Sequence, residues 1–253
     1  MKSLNVRIGE QSVRRQFSKR AGTFNGSASW ITDPRLVDAH VKAAGKPAGR
    51  AVELCCGTGV IGKALSAAGW DIVGVDLSRE MLAEAGRHFP VLECNVERLP
   101  FSDSSFDLAV MRQALFFTDA SKTLKEAARV LKRGGRFVLS QTVPFSAVDC
   151  AWLERVHLTK QADMLKFYTA GGLEEKLAEN GFRVVDKDFL RVRESITRWM
   201  RFAPELADEQ KMKVCDLIRD APEGYRKLRR VAVEGDELME DWNWVIYAAI
   251  NDK

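Results

Sequence analysis

The chain has 253 residues, 46% of them apolar and 29% charged, with a formal net charge of +4. This suits one soluble α/β domain with an elaborated cap, or two small domains, and excludes the strongly basic footprint of a nucleic-acid binder. Five cysteines without a C-x-x-C and three histidines without an HExxH exclude a disulfide framework and a zinc site, and a reducing cytoplasm is the expected setting.

The N-terminal MKSLNVRIGEQSVRRQF lacks the apolar core of a signal peptide. No apolar run approaches membrane-spanning length, so membrane insertion is not expected. Residues 9–20 read as a short amphipathic helix, with Val13 and Phe17 four apart. A Gly/Ser-rich stretch follows, carrying Phe24. Asp33-Pro34 is an N-cap followed by proline at the first helical position and predicts a helix to Ala44. Strand and helix then alternate. Strands are expected at 50–55, 71–75, 91–94, 106–111 and 136–140, and helices at 60–68, 78–87 and 121–131.

Past Gln141 the rhythm breaks. Residues 142–168 show no clean period. A helix over 173–178, a strand over 182–192, a charged run of two or three helices and a final strand at 242–250 complete the chain. The last strand is expected to form an edge pair with the one starting at Phe182. Strands separated by helices of this length require right-handed parallel crossovers. The expected fold is therefore a Rossmann-like, doubly wound α/β domain: a mostly parallel seven-stranded sheet with an antiparallel C-terminal strand and helical cap insertions.

Chemistry concentrates in AVELCCGTGVIGKALSAAGWDIVGVDLS, from Ala51. Gly57, Gly59 and Gly62 spell G-x-G-x-x-G between a strand and a helix, the pattern of a nucleotide loop. Glu53 distinguishes the ligands. A carboxylate just before the loop opposes a pyrophosphate held at a helix N-terminus, and suits a ligand with an α-ammonium group and no phosphate. S-adenosyl-L-methionine is such a ligand. Asp76, ending the second strand, suits ribose hydroxyls, which dinucleotides share. Asn95 ends the third strand, where its amide and the Val96 N–H can meet a purine edge. Gly62 looks incidental beside Glu53, Gly57 and Gly59.

VELCCGTG, VGVDLSREML, ECNVERLPFSDSSFDLAV and ARVLKRGGRFVLS, in that order over about residues 52–140, resemble the class I S-adenosylmethionine-dependent methyltransferases. The nearest branch looks like the group with quinone-biosynthesis and malonyl-carrier-protein methyltransferases. The resemblance implies that Glu53 holds the methionine ammonium, Gly57 and Gly59 admit the methionine portion, and Asp76 binds the ribose. It also implies that Leu77 and Met81 pack beside the adenine, that Asn95 and Val96 read its edge, and that Arg112 lies near the methionine end. In layout it implies an N-terminal helical lid over residues 1–45 and a cofactor-binding core over 46–141. Residues 142–253 would hold the last two strands and the cap helices, at about 142–168 and 194–238. Three positions depart from the family: Cys55 stands for glycine, Asn95 for aspartate, and Phe116-Phe117 where histidine is frequent.

Methyl transfer to a small-molecule acceptor at O, C, N or S is the function implied. The rivals are an NAD(P)-dependent oxidoreductase and a non-catalytic nucleotide-binding protein with the same fold. Candidate acceptor contacts are Phe24, Trp30, Gln113, Trp152, Tyr168, Trp199 and Arg201. His157, three residues after Glu154, is either a base with its orienting carboxylate or half of an exposed helix pair. The basic run 191–230 is either a solvated face or an attractor of an anionic or carrier-linked acceptor.

Overall fold

A computed structural model describes residues 2–161 and 163–253, with side chains from Gly9 onward. Helix α1 (Lys2–Arg20) leads through two 3₁₀ turns (Ala21–Gly26 and Ser29–Ile31) to α2 (Pro34–Ala44). The Asp33 side chain accepts from Arg35 N, so the cap and the Pro34 start act as the sequence suggested. The alternating region gives β1 (Arg50–Leu54), α3 (Val60–Ala67), β2 (Asp71–Asp76), α4 (Arg79–Ala85), β3 (Val91–Glu93), β4 (Phe106–Arg112), α5 (Ala120–Val130) and β5 (Leu131–Val143). The remainder is α6 (Ala147–Lys160), α7 (Ala170–Glu179), β6 (Phe182–Ser195), α8 (Ile196–Arg201), α9 (Asp208–Arg219), α10 (Glu223–Leu228), β7 (Ala232–Glu234) and β8 (Glu237–Asn251).

The sheet runs β3-β2-β1-β4-β5-β8-β6, with β7 paired to β8. The first five strands are parallel, and β8 is antiparallel to both β5 and β6. Along β4, Leu108 and Val110 join one core while Ala109 and Met111 join the other, so both faces are covered. The first face lies under Leu36 of α2, Ile61 and Leu65 of α3, and Leu82 of α4. The second lies under Leu124 and Ala127 of α5 and Leu173 and Leu177 of α7.

Two expectations, the strand count and the start of β5, need correction. There are eight strands, because β7 forms a hairpin with β8 across the two-residue turn Gly235-Asp236, where Gly235 takes φ +64°. The last strand forms the expected edge pair with β6. Its almost unbroken apolar run seats it between β5 and β6, and β6 becomes the edge, carrying exposed Arg183, Asp186, Lys187 and Asp188, which blunt further pairing. Strand β5 begins at Leu131, pairing with Phe106 before a register shift that absorbs Gly134 and Gly135. The stretch after Gln141, which showed no clean period, holds helix α6, opened by a capping box in which Ser146 and Asp149 exchange hydrogen bonds.

Candidate functional site

A cavity of about 510 Å³ opens beyond the carboxyl ends of β1 to β4, where an open α/β sheet places ligands. Its floor comes from the strand ends and its walls from α1, the 3₁₀ turns, α6, α8 and β8. Glu53, Gly57, Asp76, Leu77, Asn95, Val96 and Arg112 all line it, as do Phe24, Trp30, Gln113, His157 and Trp199.

The loop after β1 is a chain of tight left-handed turns. Cys55, Gly57 and Gly59 have φ of +52°, +53° and +77°. A glycine is the low-strain residue at Cys55's position, and the half-buried thiol there is pushed well up by burial. Gly57 is open towards the cavity, the nearest atom to a Cβ there being Phe24 Cε1 at 4.0 Å. Gly59 instead sits against Phe89 and Ala85 as the N-cap of α3, buried and outside the cavity lining. Its part is turning and packing, not contact.

Gly62 is not incidental. Its N–H donates to Glu53 Oε2 at 2.8 Å, and a Cβ there would lie 2.6 Å from that oxygen and closer still to the Phe89 ring. The glycine therefore lets helix α3 approach β1 closely enough for its amide to hold the carboxylate. Glu53 is 3% exposed, and burial pushes its carboxyl up to about 8 against the opposing pull of Arg112. Burial lowers Arg112 to about 10, with Glu53 acting the other way. The Arg112 guanidinium donates to the Ile31 carbonyl at 3.0 Å and lies 5.1 Å from the Trp30 ring centroid.

Asp76 is fixed by two backbone donors: Gly57 N on Oδ2 and Ser78 N on Oδ1, each at 2.9 Å. Burial raises its carboxyl. Ser78 caps α4 through Met81 N, leaving Asp76 free of that task. Asn95 Oδ1 accepts from Glu97 N at 2.8 Å, and Nδ2 donates to Glu10 of α1 at 3.1 Å, so the N-terminal helix closes this corner.

Met81 lies outside the lining: it is fully buried beneath α4, and Leu77 alone of that pair reaches the cavity. Trp152 turns away, donating its indole N–H to the Leu217 carbonyl at 2.7 Å. Tyr168 is packed in the core on the opposite sheet face, and Arg201 is exposed. His157 is 3% exposed while Glu154 is exposed, so neither version of the helix pair holds. The imidazole instead lies among Phe167, Trp199 and Trp242, with centroids 5.8, 5.9 and 5.9 Å away. Burial, reinforced by Arg229 and Lys160, lowers it to about 3.

Sequence reasoning missed Trp242, Phe117, Gln161 and Arg20 as lining residues. The strand of Trp242 was legible; its place in mid-sheet, which aims one face at the cavity, was not. The basic run 191–230 mostly spends its charge locally. Arg191, Arg193 and Arg230 converge on Asp241, whose carboxylate is fully buried.

The methyltransferase-domain family matches residues 52–139. The chain is similar to a demethylmenaquinone methyltransferase of Corynebacterium kroppenstedtii, 41% identical over 118 residues, which are 44% of this chain and 51% of that protein. It is also similar to a ubiquinone/menaquinone biosynthesis C-methyltransferase of Desulfotalea psychrophila, 35% identical over 144 residues, 52% of this chain and 58% of that one. The chain thus spans little more than half the length of these relatives. In structure it is similar to a putative methyltransferase of Bacillus halodurans, with a TM-score of 0.75 and 19% identity over 86% of this chain and 99% of the other. Together these likenesses identify residues 52–139 as a methyltransferase domain.

Proposed function

We propose that this chain transfers a methyl group from S-adenosylmethionine to a small-molecule acceptor, both bound in the cavity. One observation carries the cofactor assignment. Two carboxylates from adjacent parallel strands, the buried Glu53 and the half-buried Asp76, line one cavity with the open backbone of Gly57 between them. A pyrophosphate would push the Glu53 carboxyl higher still and gain no counter-charge from it. An ammonium suits it, and brings the carboxyl down from its raised value.

Glu53 would hold the methionine ammonium, Asp76 the ribose hydroxyls, and Asn95 with Val96 the adenine edge beside Leu77. The bound sulfonium supplies the reactive methyl group, transferred by in-line displacement. The chain's contribution is alignment and exclusion of water, worth on the order of 7–11 kcal/mol when two reactants are well held. Helix α1, through Glu10 on Asn95, acts as the lid over the adenine corner. The 3₁₀ turns, α6, α8 and β8 form the acceptor wall. The names of the relatives point to quinone-type acceptors. The acceptor wall lies almost wholly outside the family-matched segment, so its chemistry is taken from this chain's own residues.

Calorimetric titration with S-adenosylhomocysteine and, separately, NAD⁺ tests the assignment. Single-site binding of the first, lost at least tenfold in Asp76→Ala, is expected. Binding of NAD⁺ alone would overturn it. Tritium transfer from labelled S-adenosylmethionine to an acceptor panel then separates an enzyme from a binding protein.

A further inference from the structure

Four arginine and lysine side chains line the cavity: Arg14, Arg20, Arg112 and Lys122. Three are spent on carboxylates. Arg14 meets Glu93, Arg20 forks onto Glu205, and Lys122 sits between Glu97 and Asp119. Arg112 makes no ion pair among the described residues. Its guanidinium gives one hydrogen bond, from Nη1 to the Ile31 carbonyl, and lies over the Trp30 ring. A guanidinium has five N–H donors in a planar fork, so most of this one is unused. The side chain is only half-buried, and none of its atoms is among those sealed away without a partner. Its free donors therefore keep surface towards the cavity. Neighbouring Gln113 offers no such capacity: its amide donates to Thr142 Oγ1 and accepts from Thr142 N, each at 2.7 Å.

Position decides which anion this cation suits. In the parallel register of β1 and β4, Glu53 stands opposite Val110, and Arg112 is two residues further along β4. Side chains two apart in a strand share a face, so Glu53 and Arg112 project from one face of the sheet at its carboxyl end. Each feels the other: Arg112 opposes the rise of the Glu53 carboxyl, and Glu53 opposes the fall of Arg112. They nevertheless form no ion pair with one another. Glu53 holds the Gly62 N–H on Oε2 alone, and its Oε1 is not among the sealed atoms either. An acid and a cation held apart on one wall, both with unused capacity, match a ligand carrying an ammonium and a carboxylate on the same carbon.

We propose that Arg112 is the carboxylate pole of this site: its guanidinium binds the α-carboxylate of the cofactor's methionine while Glu53 holds the α-ammonium, so the two side chains read a zwitterion. A planar fork meets a carboxylate through two parallel hydrogen bonds, which fixes direction as well as charge. The methionine end is then held at two points on neighbouring strands, and the sulfonium beyond it is aimed into the rest of the cavity. The inference rests on the cofactor assignment above and adds a demand of its own, that the ammonium by itself is not enough.

The probes are S-adenosylhomocysteine and its decarboxylated form, in which hydrogen replaces the α-carboxylate, each titrated calorimetrically into the full chain. Both carry the ammonium and the adenosine, so contacts with Glu53 and Asp76 are common to them. The wild type should bind S-adenosylhomocysteine about tenfold or more tightly than the decarboxylated probe. Arg112→Met should bind the two alike, through weaker binding of S-adenosylhomocysteine. Arg112→Gln carries the same expectation and serves if the methionine variant does not fold. Equal binding of the two probes by the wild type would overturn the proposal and leave Arg112 to an anionic acceptor. A preference that survives in the variants would overturn it as well. Failure of S-adenosylhomocysteine itself to bind the wild type would contradict the cofactor assignment instead, so the two failures are distinguishable.

Discussion

Replacing Gly62 by alanine puts one methyl group into the contact between helix α3, Phe89 and the Glu53 carboxylate. The new Cβ would lie 2.6 Å from Glu53 Oε2 with the Phe89 ring closer still, so helix, ring or carboxylate must move. Overpacking of this kind costs about 1–3 kcal/mol. Losing the Gly62–Glu53 hydrogen bond costs about 1 kcal/mol more. The intrinsic helix preference of alanine over glycine returns about 1 kcal/mol. The expected net loss is about 1–3 kcal/mol, or roughly 2–10 °C in Tm for a chain of this size. Cofactor binding should suffer too, because the displaced carboxylate no longer stands where an ammonium would meet it. A tenfold or greater weakening of S-adenosylhomocysteine, about 1.4 kcal/mol, is expected. The measurements are thermal melting and calorimetry, with Gly171→Ala in α7 as control. No atom lies within 4 Å of a Cβ at that control position, so stability there should hold or rise slightly. A Gly62→Ala protein matching the wild type in both Tm and affinity would refute the role given to this glycine.

Other substitutions and conditions probe the same construction. Cys55→Gly should fold at least as stably as the wild type, because φ is +52° there, whereas Cys55→Val should melt several degrees lower. Glu53 has its carboxyl raised to about 8, above the usual carboxylate range. If an ammonium binds its ionised form, affinity for S-adenosylhomocysteine should climb as pH rises from 6 towards 8, by up to about tenfold per pH unit, with proton release. Titrations in buffers of different ionisation enthalpy check this, and Glu53→Gln should flatten the profile. Arg229→Met leaves the Asp149 and Glu240 carboxylates buried without their shared cation. Urea denaturation should show a loss of about 3–5 kcal/mol.

Much of the core was legible because its signals are local. Asp33-Pro34, Ser78 and the Gly57/Gly59 turn each act within a few residues, and the parallel strands read as apolar runs. Gly62 was misjudged because its reason lies in Phe89, brought against it only when α4 and the segment after it pack on the sheet. Met81 and Leu77 are both apolar and near Asp76, and only the direction in which α4 presents them decides which one faces the cavity. Trp152 and Trp199 look alike in sequence. One is drawn towards α9 by a hydrogen bond to the Leu217 carbonyl, and the other lines the cavity beside Trp242. The position of β8 depends on a competition between two strands for the interior, which the burial of each settles after folding.

A crystal structure of the chain with S-adenosylhomocysteine bound is the most direct test of the central claim. The amino group should lie within hydrogen-bonding distance of Glu53, the ribose hydroxyls on Asp76, and the adenine edge at Asn95 and Val96. The sulfur should face the wall of Trp30, Trp199 and His157. A ligand bound elsewhere, or one with its ammonium away from Glu53, would contradict the assignment.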